Sequence, residues 1–381
     1  VDIPAIRVKV GRILGPMRSA PADNVTTQFH VSTKRTVSGK ALPPYYLVYF
    51  LLVELMGFRN DGRFDKVAWS VPIEHQGRTL VIEHRKFGLG VFAPDTEEDA
   101  AAAADVARRL GKAVKAAEPY FDMLAQEAAG LSKLNVHNHS NALFERYSYF
   151  GELYAAKKAE AEDRKDERVR VEYGSGFSYR RPVFGLLREE RWLALATIDS
   201  FFSWTEHVLI LLSILRGSIL TGEEVTKLAG ADWETKFKAA LDINEPETKR
   251  YYDGLKLVRS QLRNVVAHGA FGKDGQAFDF HSPAGAVPMM MPHNHKGRFR
   301  FGHVLGYVDG EAIELMSGFV EHLWSGDRGP ARIYIEKYDL PLILTLAANR
   351  EYARAMVSTD RMNALVDHLQ GVMDRSMDMD F

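Results

Sequence analysis

The apolar positions of this chain repeat with a short period early and a helical period later. Residues 1–43 hold scattered Pro, Gly and Thr, and only Ile6 to Val10 and Thr26 to Val31 alternate, which predicts short strands and loops. Pro43-Pro44 opens an apolar helix over Tyr45 to Met56, closed by Gly57. After an Asn60-Asp61-Gly62 turn, alternation predicts three strands near Val67 to Ile73, Thr79 to His84 and Leu89 to Phe92, joined at Gln76-Gly77 and Phe87-Gly88 into a small antiparallel sheet. Thr96, Glu97 and Glu98 then lead an alanine-rich segment predicting one long helix over 95–129. Phe144 to Arg170 reads as a further helix, aromatic at its start and charged from Lys157 onward, the charged part solvated.

Between Glu172 and Pro182 the periodicity breaks at Gly174-Ser175-Gly176 and Arg180-Arg181-Pro182, which predicts a linker. The domains expected are therefore residues 1–171, a linker over 172–185, and residues 186–381. The second domain opens with a helix over Glu189 to Leu215, so apolar around Val208 to Leu212 that it belongs at the centre of a bundle. Asp199, Ser203 and Glu206 form a polar stripe on it at steps of four and three. A buried carboxylate there needs a cation, and Arg259 or Arg263 is the natural partner; the pair either fixes helix register or orients a catalytic arginine or supplies a further acid-base group, with Glu206 preferred to Asp199 because it lies deeper in the apolar helix. Gly272 to Phe301 is a long irregular stretch with Pro283, Pro288 and Pro292 around Met289-Met290-Met291. Glu311 to Leu323 closes the bundle, followed by a strand near Arg332 to Ile335 and helices near 342–357 and 360–373. The fold class expected is α+β and predominantly helical: an N-terminal module of helices around a small sheet, then a helical bundle with a helical extension.

A helix beginning near residue 245 carries the densest chemistry. Asn244 stands at its cap, Glu247 at the capping-box position and Pro246 in the first turn. Tyr251, Leu255, Val258, Leu262 and Val265 form its apolar seam, and Gln261 to Gly269 reads Gln-Leu-Arg-Asn-Val-Val-Ala-His-Gly. His268 falls in the last turn, where the negative end of the helix dipole favours the imidazolium. Arginine forks onto phosphate oxygens and histidine moves protons, so Arg263 and His268 together suit phosphodiester cleavage. Five residues turn the helix by roughly 140°, so the long arginine side chain or a second subunit must bring the two groups together.

Arg263-Asn264, three residues and His268 resemble the Arg-polar-x3-His signature of HEPN domains (higher eukaryotes and prokaryotes nucleotide-binding), helical modules that often act as metal-independent RNases. The likeness covers about residues 186–325, including a long apolar helix with an internal acidic residue ahead of the motif helix. The resemblance implies attack by the RNA's own 2′-hydroxyl to give a 2′,3′-cyclic phosphate, without a cofactor, at a site shared across a symmetric homodimer. It implies Arg263 as the stabiliser of the charged phosphorane, His268 as acid or base, and Asn264 as a positioning group. It also implies roles in toxin–antitoxin or antiviral defence systems, with an antitoxin or regulatory partner.

Other groupings carry less. Asp65, Glu83 and Lys86 mimic a magnesium-dependent nuclease, but Glu83 and Lys86 point to opposite faces of a strand where that pattern needs one face, so a solvated polar face on a hairpin is expected. Glu83-His84-Arg85-Lys86 also offers a recognition surface. His137 and His139 sit in a turn, and His281, His293, His295 and His303 lie in different elements without a carboxylate pattern; no metal site is expected from either group. Lys296, Arg298 and Arg300 alternate with Phe299 and Phe301, so cations fall on one face and rings on the other; with Arg259 they are the candidate phosphate-binding groups.

Composition narrows the classes. Lys+Arg at 49 against Asp+Glu at 50 leaves a formal charge of -1, so any RNA binding must be local. With no cysteine, disulfides, thiolate zinc sites and cysteine nucleophiles are excluded, and the composition fits a reducing cytoplasm. No basic-then-apolar leader stands at Val1 and no uncharged run nears 18 residues, so no membrane partner is expected. The functions expected are thus an endoribonuclease of HEPN type; alternatively a non-catalytic HEPN-like module that binds a nucleotide or partner; and third, a metal-dependent nuclease in the first domain.

Overall fold

Where the first turn of the chain begins, Asp2 accepts a hydrogen bond from the Ala5 N–H and Pro4 lies in the first turn, so the segment expected to be a strand is a helix, α1 (Ile3–Leu14). Its alternation was one of two periods present: Ile3, Ile6, Val10, Ile13 and Leu14 also line one helical face, and that longer stripe meets the core. The computed structural model describes the chain apart from residues 22–24, 27–28, 30–31, 39–41, 63–65, 260–277, 284, 291–299, 302–308 and 378–381. Most of the Thr26 to Val31 stretch is therefore outside the described residues. The fold is α+β and mostly helical, with small antiparallel sheets. It divides into two compact units: residues 1–129 with 369–381, and residues 130–368.

In the first unit β1 (Arg18–Ser19), β2 (Lys34–Arg35), β3 (Val67–His75), β4 (Arg78–Arg85) and β5 (Gly88–Ala93) form one sheet in the order β1-β3-β4-β5-β2, its paired strands antiparallel. Helix α2 runs over Tyr45–Tyr49 and continues as a π-turn over Phe50–Leu55. Its Leu51, Leu52 and Leu55 join Val71, Ile73, Leu80 and Ile82 of the sheet in one core. The long helix expected after Thr96 is two: α3 (Glu97–Ala116) and α4 (Glu118–Gly130). Pro119 explains the break, because it has no N–H for the preceding turn and crowds the residue before it.

The second unit contains β6 (Asn135–Val136), α5 (Ser140–Asp163), β7 (Val169–Tyr173), β8 (Gly176–Arg180), α6 (Val183–Leu215), α7 (Gly222–Ala229), α8 (Trp233–Ala240) and α9 (Pro246–Val258). Then come β9 (Phe278–Ser282), β10 (Gly285–Met290), β11 (Arg300–Phe301) and α10 (Asp309–Leu323). α11 (Gly329–Arg332) runs into a π-turn over Ile333–Lys337, followed by β12 (Leu342–Ile343), α12 (Leu344–Ala348), α13 (Glu351–Ala355) and α14 (Thr359–Met377), whose residues from Leu369 onward count with the first unit. β9 to β11 form a three-stranded antiparallel sheet in the stretch read as irregular, with Gly285 at φ 109 turning the chain between β9 and β10. The strand expected near Arg332 is helical instead. Its Tyr334 is fully buried, and the Tyr334 and Tyr352 hydroxyls lie 3.0 Å apart, so side-chain packing outweighs the β-branched run.

The division between units also differs from the boundary read in the sequence. α5 packs along α6, with Phe144 4.9 Å and Tyr147 6.4 Å from the Trp204 ring, and the Trp204 indole N–H donates to Ser140 Oγ at 3.0 Å. The charged segment after Asp163 is not helical to Arg170. Residues 169–180 form a hairpin, β7 against β8, turning at Gly174 with φ 55, where a structureless linker was expected. α6 is long and apolar enough to cross a membrane by length and composition alone, but 72% of its most apolar window is buried within the structure. It is the axis of this unit: Phe201 touches Tyr147 of α5 and Phe319 of α10, and Phe202 touches Trp233 of α8.

Two outcomes follow. Proteolytic nicking at Gly174-Ser175 should leave the two fragments associated under native conditions, because α5 and α6 share an aromatic interface; separation on size exclusion would restore the linker reading. Phe201→Ala should cost roughly 3–5 kcal/mol in urea unfolding.

Candidate functional site

The polar stripe on α6 resolves into three different environments. Asp199 is exposed, and Ser203 accepts a hydrogen bond from Arg146 of α5 at 2.8 Å. Glu206 alone turns toward the helix that leads into the Arg263 motif. Its Oε1 accepts from Arg259 at 2.9 Å and its Oε2 from Lys236 of α8 at 3.1 Å, so one carboxylate ties α6, α8 and α9 together. Of the two cations expected for Glu206, Arg259 is a partner, still helical at the end of α9 with φ -62 and ψ -43, while Arg263 lies outside the described residues. Helix α9 itself is capped differently from the expectation. Glu245 holds the N-cap and accepts from the Thr248 hydroxyl at 2.7 Å, while Asn244 bonds Asp242.

Lys236 escaped the sequence reading, although a signal was present. Trp233, Lys236, Phe237 and Ala240 follow the three-and-four spacing of a buried face, and a lysine on such a face demands an anion. Its side chain is only 6% exposed. The Trp233 indole N–H donates to Thr205 Oγ1 at 3.0 Å, one residue from Glu206, and locks α8 in the register that delivers Lys236. Among the described residues the buried Arg259 Nε–H has no hydrogen-bond partner, and Glu206 meets the guanidinium at its end.

Beside Glu206, His207 faces the start of α5. Its Nε2 accepts the His139 backbone N–H at 3.0 Å, and burial together with the charge of His139 pushes its pKa down to about 4. The rings of His137, His139 and His207 follow one another at 5.8 and 5.9 Å, and Asn138 accepts the Ser140 N–H at 3.0 Å, so the His137-Asn138-His139 turn starts a helix. Among the described residues no three His, Asp or Glu side chains converge as a ligand set for a metal ion.

In the first unit the polar hairpin face is not solvated at Glu83. That carboxylate is 0% exposed, and it accepts from Ser70 Oγ at 3.0 Å and Arg85 Nε at 2.6 Å. Period-2 reasoning placed Glu83 on a face without showing that this face is covered as well. His84 stacks on Tyr45 at 4.1 Å, and Lys86 lies at the exposed turn. His281 is exposed on β9.

Asp65, Arg263, Asn264, His268, Lys296, Arg298, His293, His295 and His303 lie outside the described residues. Arg300 begins β11, its backbone opposite Met290. No family model, curated protein or solved structure matches the chain.

Removing Glu206 leaves a buried ammonium and a half-buried guanidinium without their shared anion. Glu206→Ala should therefore lower stability by about 2 kcal/mol in urea, and Lys236→Met in the same chain should recover part of it. The pH dependence has a fixed sign. Because folded His207 binds its proton less readily than the ordinary value of 6.5, the unfolded chain protonates first. Its contribution is complete above that pH and drains away as pH falls toward about 4, at most ~3 kcal/mol. His207→Gln should flatten stability across that window; an unchanged slope would remove His207 as the cause.

Proposed function

We propose that the second unit is a metal-independent endoribonuclease of HEPN type. The observation that supports this reading is the Glu206 to Arg259 bridge, which fastens the long apolar helix α6 to the helix whose sequence continues into Arg263-Asn264 and His268. A long apolar helix with an internal acidic residue, ahead of the motif helix, is the arrangement the resemblance implies. In this reading Arg259 and Glu206 hold the motif helix in place, and Arg263 offsets the charge that develops on phosphorus. His268 moves the proton: the 2′-hydroxyl loses it and attacks phosphorus, the bond to the 5′-oxygen breaks, and that oxygen leaves protonated. The products are a 2′,3′-cyclic phosphate and a 5′-hydroxyl. A symmetric dimer supplies the second copy of the motif and brings Arg263 of one chain near His268 of the other.

A second reading, a non-catalytic nucleotide- or partner-binding module, draws support from Lys236. A carboxylate clamped between two cations serves helix register as well as it serves catalysis. A metal-dependent nuclease in the first unit draws none from Glu83, which is turned inward onto Ser70 and Arg85.

The test is cleavage of single-stranded RNA in EDTA with mass analysis of the ends. Cyclic phosphate products are expected, with Arg263→Ala and His268→Ala each abolishing most turnover while melting temperature stays the same. Arg263→Lys should rescue poorly, since an ammonium lacks the bidentate fork. Cleavage that needs magnesium, or that survives both substitutions, sinks the proposal and leaves the binding module.

A further inference from the structure

Every residue of β7 and β8 is exposed, and two strands alone are marginal in water, so this hairpin presents surface that the chain itself leaves uncovered. The surface continues onto the first turns of α6. Val183 and Leu186 bury one side of that helix, while Phe184, Arg188 and Trp192, four residues apart, form a stripe on the other. Phe184 is 64% and Trp192 59% exposed. Arginines alternate with these rings. The Arg181 guanidinium lies 5.4 Å from the Phe184 centroid and that of Arg188 5.5 Å from the Trp192 centroid. On the hairpin Arg170 covers Phe177 at 4.3 Å, with Tyr179 edge-on beside it at 5.8 Å.

The charges identify the partner. Arg170 is paired with Glu172 at 3.1 Å, but Arg168, Arg180, Arg181 and Arg188 have no carboxylate at ion-pair distance among the described residues. Over residues 168–191 Arg168, Arg170, Arg180, Arg181, Arg188 and Arg191 stand against Glu172, Glu189 and Glu190, so in a chain with formal charge -1 overall this stretch carries a local positive excess that suits a polyanion. Rings that alternate with cations offer faces to bases and charges to phosphates, and only unpaired bases have free faces to give. A second copy in a two-fold contact would set these same arginines against one another.

We propose that the Arg181, Phe184, Arg188 and Trp192 ladder, with the β7–β8 hairpin, docks a single RNA strand. The choice of RNA rests on the function proposed above; docking itself needs neither Arg263 nor His268.

The experiment is fluorescence anisotropy of the full chain with a short 2′-O-methyl oligouridylate, which lacks the attacking hydroxyl and so reports binding without cleavage, and with a duplex of equal length. The strand should bind more tightly than the duplex, and more weakly as salt rises. Trp192→Ala and Phe184→Ala should each weaken it about tenfold at unchanged melting temperature, and Trp192→Phe should restore most of it. Equal affinity in the wild type and both alanine variants overturns the proposal. So does a loss of self-association in those variants, seen by light scattering, while strand binding persists, since the face would then belong to a second copy. Ladder-dependent binding of the modified strand with no cleavage of the unmodified one upholds the docking surface and overturns the ribonuclease.

Discussion

Covering α6 is the constraint on which the second unit depends. Beyond its exposed first turns this helix is apolar on most sides, and those faces find neighbours: aromatic residues of α5 on one, Phe319 of α10 on another, Trp233 of α8 on a third. Between Ser203 and Glu206 the polar groups are each met by a partner. Thr205 takes the Trp233 N–H, Ser203 takes Arg146, and Glu206 takes Lys236 and Arg259. The carboxylate is thus less an exception to the apolar helix than the point where three helices agree on register.

Much of this was legible. The three central strands of the first unit's sheet followed from alternation and turn residues, while the two short edge strands did not, and the bundle's central helix followed from its unbroken apolar run. The polar stripe pointed to Glu206, and the demand of a carboxylate for a cation pointed to Arg259 or Arg263, of which Arg259 is seen to pair with it. Other features were hidden for physical reasons. Ile6 to Val10 satisfies both a strand period and a helix period, and only the Asp2 cap and the longer stripe separate them. The Gly174-Ser175-Gly176 run reads as a linker because glycine marks a tight hairpin turn as readily as a flexible segment. Assigning α5 to the bundle needed the side-chain match between Tyr147, Phe144 and Trp204, which no local pattern encodes.

The candidate site was legible in part. A single lysine on the apolar face of α8 announces a buried ion pair, yet its partner is identified only when α6 and α8 are seen side by side. His207 is similar: its neighbour Glu206 drew the argument, while the N–H it accepts comes from a turn far away in sequence. Glu83 shows the opposite limit. A charged residue on an alternating strand looks solvated until the other face of the sheet is known to be covered.

The joint between α5 and α6 bears on the order in which the second unit assembles. These two helices are neighbours in sequence, and the β7–β8 hairpin between them closes a short loop, so their antiparallel pairing pays little chain entropy and is available early. The ladder of Leu342 and Ile343 with Val136 and Asn135 joins opposite ends of the same unit and carries a much larger closure cost. A helical hairpin that forms first and a two-residue strand pair that forms last give the unit a nucleus and a latch. Destabilising the latch then chiefly accelerates unfolding, whereas disturbing the aromatic seam of the nucleus slows folding itself.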